Sequence, residues 1–246
     1  MLLPKQKRFF LFGLLWRCIL SLAIFFPAIR LLSQTASAYE SISTAQGLSQ
    51  GMVFDILQDK EGFIWVATKN GLNRYDGYNF TVYTNDPYNP HSLSSNTILA
   101  LFEDSKGRLW IGTENAGLNV YDKRTGLFHR IMHNSKDANT ISGDRIRAPM
   151  MELPDGSVLV PTEGSGINII KLPADFFEKN SKPVITRLSL PGNTRVYGAG
   201  KDKNGTVFIG GMDSAVYELN LKNDSFTKLK EGKFINNGYL TADSNI

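Results

Sequence analysis

Over its 246 residues the chain is 42% hydrophobic and 20% charged, with 22 glycines; this excludes a disordered or fibrous protein and suits a turn-rich globular one. Its one cysteine, Cys18, rules out a disulfide framework and a thiolate metal site. The formal net charge of +4 belongs to the first 38 residues, which hold Lys5, Lys7, Arg8, Arg17 and Arg30 and no acid; the rest carries 22 basic against 23 acidic residues, net about −1, and keeps no basic footprint for nucleic acid.

The N-terminus has the order of a secretory signal: a basic leader, an apolar stretch from Phe9 to Leu32, then Ala36-Ser37-Ala38. The stretch is long enough to be retained as a membrane anchor. Arg17 and Arg30 interrupt it, however, and leave Cys18–Ile29 as a hydrophobic region of signal-peptide length. Leu15-Trp16-Arg17 before the cysteine lacks the small residues of a lipoprotein signal. The expectation is a signal peptide over 1–38 and a periplasmic remainder over 39–246.

From Gly47 the chain repeats itself. Asp59-Lys60-Glu61-Gly62-Phe63-Ile64-Trp65-Val66-Ala67-Thr68 is answered by Asp104-Ser105-Lys106-Gly107-Arg108-Leu109-Trp110-Ile111-Gly112-Thr113. Fainter copies run Pro154–Thr162 and Asp202–Gly211. The turn glycines Gly62, Gly107, Gly156 and Gly205 lie 45, 49 and 49 residues apart, a period of propeller blades or helical repeats. Local pattern decides for strands. In the second copy the runs 97–102, 109–113, 117–121 and 127–131 are short, β-branched and aromatic, and Gly, Asp and Asn bound them. D-x-x-G suits a tight turn closed by a positive-φ residue. A helical period is glimpsed only at Ala174–Lys179. The fold expected is all-β: a partial β-propeller of about four four-stranded blades, roughly 47–91, 92–139, 140–193 and 194–240. Trp65, Trp110, Leu159 and Phe208 recur at one place and are read as an apolar layer between blades, rather than as sugar platforms.

These units resemble the two-component regulator propeller repeat. The resemblance rests on Asp104, Gly107, Leu109–Thr113 and Gly117–Asp122 in the second copy, and on Trp65, Thr68 and Gly71–Gly77 in the first. The lead-ins Ser92–Asn96 and Thr140–Asp144 are also typical of it. The third and fourth copies are degenerate, lacking the Trp and the Tyr-Asp pair. WD40 is the nearest rival, but no Trp-Asp pair ends any unit. The resemblance implies the periplasmic sensor of a hybrid histidine kinase, membrane-anchored and homodimeric as a whole, that answers to oligosaccharides. It also implies further blades and a kinase portion as partners. Residues 241–246 echo the lead-in at 93–98, so the chain reads as stopping where a fifth blade begins. Two other readings stay open: an exported binding module without a kinase, and a propeller polysaccharide lyase or glycosidase.

No catalytic, cofactor or metal site is expected. His129 and His133 are four apart but fall on a strand-like segment, the wrong period for shared ligation. Asp104, Asp155 and Asp202 look like matched acids and are read as turn caps. Gly164-Ser165-Gly166 lacks the strand-to-helix context of a nucleophile or phosphate loop. The candidate ligand residues are Lys69, Asn70, Glu114, Asn115, Glu163 and Asp213, in loops joining second and third strands. These polar loops vary from copy to copy and should share a face with the lead-ins, opposite the D-x-x-G turns. For any one of them the bland alternative is an ordinary solvated loop residue.

Overall fold

The repeated runs form strands because their side chains alternate between two apolar faces, which a strand presents with period two. The computed structural model describes residues 41–231 apart from 180, 194 and 214. The expected signal segment and the fifth-blade echo lie outside the described residues. Four antiparallel four-stranded meanders follow one another. The first is β1 (Val53–Gln58), β2 (Ile64–Thr68), β3 (Gly71–Tyr75) and β4 (Phe80–Tyr83). The second is β5 (Ile98–Glu103), β6 (Leu109–Thr113), β7 (Leu118–Asp122) and β8 (Leu127–Ile131). In the third, β9 (Met151–Glu152), β10 (Val158–Thr162) and β11 (Gly166–Lys171) lead through a short helix α1 (Phe176–Lys179) to β12 (Val184–Leu188). The fourth is β13 (Val196–Lys201), β14 (Val207–Gly211), β15 (Ala215–Asn220) and β16 (Ser225–Glu231). This is the all-β propeller architecture. Sheets converge at their first strands, β5 packing on β1 and β2 and β13 on β10.

Alternation puts each blade's two faces into different layers. Leu101, Leu109, Ile111, Tyr121 and Phe128 of the second blade pack with Trp65, Ala67 and Leu72 of the first. Their neighbours Ala100, Trp110, Leu118, Val120 and Ile131 point the other way, to Val158, Val160 and Ile170 of the third. A third layer joins Leu153, Leu159 and Ile167 to Val207, Ile209 and Tyr217 of the fourth. Trp65, Trp110 and Leu159 therefore lie between blades and are buried; Phe208, on the far side of the fourth blade, is half-buried.

The D-x-x-G turn is a polar device built into this apolar stack. Asp104 Oδ1 accepts from Lys106 N and Arg108 N, each at 3.0 Å. Its Oδ2 accepts from the buried Trp110 Nε1 at 2.8 Å. Asp59 serves Trp65 in the same way at 2.8 Å. One sequence expectation is corrected here: Asp155 does not match Asp104 and Asp202. Gly156 N donates to Leu153 O where Gly107 N donates to Asp104 O, so Leu153 takes the aspartate's place and Asp155 caps Ser157. The third blade also has Leu159 for the tryptophan, and acceptor and indole donor are missing together. In the fourth blade Phe208 has no N–H, and Asp202 Oδ2 instead accepts from Asn204 Nδ2 at 3.3 Å.

The turns also clasp the next blade. Lys60 N donates to Glu103 Oε2 at 2.9 Å, and Ser105 N to Glu152 Oε2 at 2.7 Å. At the third junction Pro154 has no N–H and Lys201 stands where the glutamate would be. A shallow depression of about 360 Å³ opens there, lined by Glu152, Leu153, Pro154, Lys201 and Val207. Lys123 completes the first junction, reaching Asp59 Oδ2 and Glu103 Oε1 at 2.9 Å each and Glu61 Oε1 at 3.3 Å.

Two measurements follow. In urea denaturation, Asp104→Ala should cost about 3 kcal/mol, because it strands a buried indole N–H and two turn donors, and clearly more than Asp202→Ala, which strands no indole. Lys123→Met should cost about 2 kcal/mol at neutral pH, reduced from the fully buried case by partial exposure. Burial alone would raise Asp59, but Trp65 and Lys123 outweigh it and hold the carboxyl below its ordinary value. A lowered carboxyl stabilises the fold above its unfolded value of about 3.9 and loses that contribution as pH falls through the folded value. The Lys123→Met deficit should therefore shrink as pH falls below about 4; a constant deficit would separate the clasp from Asp59.

Candidate functional site

Three repeated ties build the face opposite the D-x-x-G turns. In the first tie, the threonine ending the second strand of each of the first three blades turns its hydroxyl onto the hairpin. Thr68 Oγ1 donates to Gly71 O at 2.9 Å, Thr113 Oγ1 to Gly117 O at 2.8 Å and Thr162 Oγ1 to Gly166 O at 3.0 Å. In the second, a buried asparagine of the third strand pins the lead-in. Asn73, Asn119 and Asn168 Oδ1 accept from Ser49, Ser94 and Ser142 N at 2.9, 2.9 and 2.8 Å. In the third, an arginine of the fourth strand gathers lead-in carbonyls. Arg130 donates to Ser92 O, Asn89 O and Leu93 O at 3.0–3.1 Å. Arg187 does the same for Thr140, Asp137 and Ile141. These loops have few backbone partners of their own, and the arginine supplies them.

The expected grouping of loops holds. Second-to-third-strand hairpins and lead-ins meet on this face, joined by one recurring bond. Lys69, Glu114, Glu163 and Met212 N donate to Met52, Thr97, Arg145 and Arg195 O at 3.2, 3.1, 2.9 and 2.8 Å. Of the candidate residues, Lys69 and Asn70 are exposed, and Asn70 N donates to Thr68 Oγ1 at 3.1 Å. Asn115 Oδ1 accepts from Ser95 Oγ at 3.0 Å. Glu114 and Glu163 are brought together by Arg145, at 3.7 and 2.9 Å. Asp213 is taken up within its own blade: Tyr217 Oη donates to it at 2.6 Å and, with Ala215 N, holds its carboxyl below the ordinary value.

Sequence reasoning missed the first-strand residues of this face. Pairing skips one residue in β1, β5 and β13, between Val53/Asp55, Ile98/Ala100 and Val196/Gly198. A bulge re-aims the skipped side chain; Phe54 and Tyr197 are 39% and 40% exposed, whereas Leu99 is buried. In the third blade Arg145 and Arg147 are exposed beside the buried Ile146. The legible signal was an arginine ending the lead-in in two copies, where the others carry Met52 and Thr97. His129, weighed as a ligand, lies buried on β8 among His91, Phe176 and Phe177. His133 is instead bonded to Ile141 O.

Arg130→Met should leave several carbonyls of the 89–93 lead-in without a donor. The expected result is faster amide exchange across that loop and at Phe128 N of β8, which donates to His91 O, and about 2 kcal/mol lost in denaturation, with the sheet amides of β5–β7 still protected.

Residues 47–70 and 92–115 match the family model described as two component regulator propeller. A curated relative, histidine kinase P4 of Formosa agariphila, is 44% identical over 70 residues, which is 28% of this chain and 5% of that protein. Two solved structures from B. thetaiotaomicron share the fold. The extracellular domain of a putative one component system superposes with TM-score 0.60 at 26% identity, covering 80% of this chain and 26% of that one. That of a putative hybrid two component system gives 0.52 at 24%, covering 76% and 31%. The chain thus spans under a third of the length of each of these proteins.

Proposed function

We propose that this two-component regulator propeller is the ligand-receiving part of an exported sensor, and that its ligand is an oligosaccharide bound on the hairpin and lead-in face. The observation that carries the reading is how that face is built. Thr and Asn ties recur in the first three blades, and Arg ties in the second and third, and hold the backbone there, while the hairpin side chains differ at every blade: Lys69 and Asn70, Glu114 and Asn115, Glu163, Met212 and Asp213. A held backbone with variable polar side chains is how a repeat scaffold carries specificity, and it lowers the ordering cost of binding. Hydroxyl-rich ligands need amide and carboxylate partners of this kind. Acids of both faces have partners within the protein, but on the opposite face Asp59 and Glu103 are buried in theirs, whereas the side chains of Glu114 and Glu163 remain 42% and 37% exposed. Similarity to a histidine kinase and to extracellular two-component domains supports a sensor over a stand-alone binding module. Occupancy would then reach a kinase in the same protein.

In the full-length protein, replacing Glu114 and Asn115 with alanine together should weaken oligosaccharide binding about tenfold by calorimetry and move the melting temperature little, since Glu114 is half-exposed and Asn115 exposed. Unchanged affinity there, with loss on Lys60→Ala at the opposite turns, would place the ligand on the other face.

A further inference from the structure

The repeat supplies its own control for one unusual residue. Arg145 and Arg195 occupy the same station, each accepting at its carbonyl from the hairpin residue after the second strand. Arg145 shows how such a cation is held in this fold. Glu163, from the hairpin of its own blade, meets its Nε at 2.9 Å, and Glu114, from the preceding blade, stands 3.7 Å from a terminal nitrogen. Arg195 has neither partner. Its own hairpin offers Met212, 53% exposed, where Arg145 has Glu163. The hairpin of the preceding blade carries Glu163, already bound to Arg145. Among the described residues no carboxylate or carbonyl takes the Arg195 guanidinium. It lies against bare backbone instead: a Cβ placed on Gly164 would sit 3.4 Å from Arg195 Nε and 3.7 Å from its Cζ. Gly164 has φ +83°, a conformation unfavourable to any side chain, so that surface stays open.

We propose that Arg195 receives an acidic substituent of the ligand, a carboxylate or a sulfate, so that the sensed oligosaccharide is an anionic one. The proposal rests on the reading of this face as the ligand face. A guanidinium presents a planar fork that matches either oxyanion in two parallel bonds. Met212 adjoins it, bonded through N to Arg195 O at 2.8 Å, and offers an apolar surface to the sugar ring. Arg145 is neutralised by its two glutamates and takes no such part.

The test is calorimetry on the full-length protein with three probes: a galacturonate oligosaccharide, its methyl ester, and a sulfated oligosaccharide. Binding of the galacturonate but not the ester assigns a carboxylate; binding of the sulfated probe alone assigns a sulfate. In either case Arg195→Gln should weaken binding at least tenfold and flatten its salt dependence. Met212→Glu, which gives Arg195 the counter-ion that Arg145 has, should do the same with an unchanged melting temperature, and Arg145→Gln should matter less. Neutral oligosaccharides binding equally to wild type and Arg195→Gln would overturn the proposal and leave the face intact. Anionic binding lost on Lys60→Ala but not on Arg195→Gln would overturn the reading of the face itself. Failure of all three probes to bind would overturn the anionic class.

Discussion

A β-strand has two faces, and in this chain both must be covered by neighbouring sheets. Leu109 and Ile111 turn toward the first blade and Trp110 toward the third, so three consecutive residues belong to two different cores. No blade buries its apolar side chains alone; among the described residues the second and third blades are each half of two layers. Burial at about 25 cal/mol per Å² makes those layers the main favourable term. Every other feature, including the polar ties and the two loop faces, takes its position from them.

The tryptophan N–H groups enter this stack paired with acids. Trp65 and Trp110 carry indole N–H groups into the layers, and Asp59 and Asp104 come with them as acceptors. Where the third blade substitutes Leu159, Leu153 replaces the acid. The inter-blade clasp obeys the same accounting: Glu103 and Glu152 face N–H donors, whereas Lys201 faces Pro154, which has none. A buried donor or acceptor without its partner costs about 1–3 kcal/mol; in the third blade both halves are lost together, and in the fourth Asp202, with no indole to serve, accepts from Asn204 instead. The depression between the third and fourth blades is the trace of one such joint loss.

The two faces then differ in what their polar groups are engaged with. The D-x-x-G face ties blade to blade through Lys123 and the glutamates. The opposite face ties loops of the first three blades through Thr and Asn, and those of the second and third also through Arg, while its outermost side chains stay partly exposed. Within that face the charge is unevenly compensated, Arg145 being held between two glutamates and Arg195 lying on Gly164 with Met212 beside it. Such unequal compensation among equivalent positions is a route from a repetitive scaffold to a specific ligand.

The strand pattern, the four-sheet order and the separation of loops into two faces were determined by the sequence alone, because period-two alternation and turn residues act over a few positions. The interblade place of Trp65, Trp110 and Leu159 was legible for the same reason, and α1 at Phe176–Lys179 fell inside the one stretch with a helical period. Three things were decided only by the tertiary structure. Asp155 sits two residues later in its turn than Asp104 does, since the backbone bond to Gly156 comes from Leu153, and a string of letters does not fix which residue closes a turn. The bulges that expose Phe54 and Tyr197 depend on pairing with the second strand. The contrast between Arg145 and Arg195 depends on three hairpins, at Glu114, Glu163 and Met212, each 49 residues from the next, because charge compensation is set by distance in space and not along the chain.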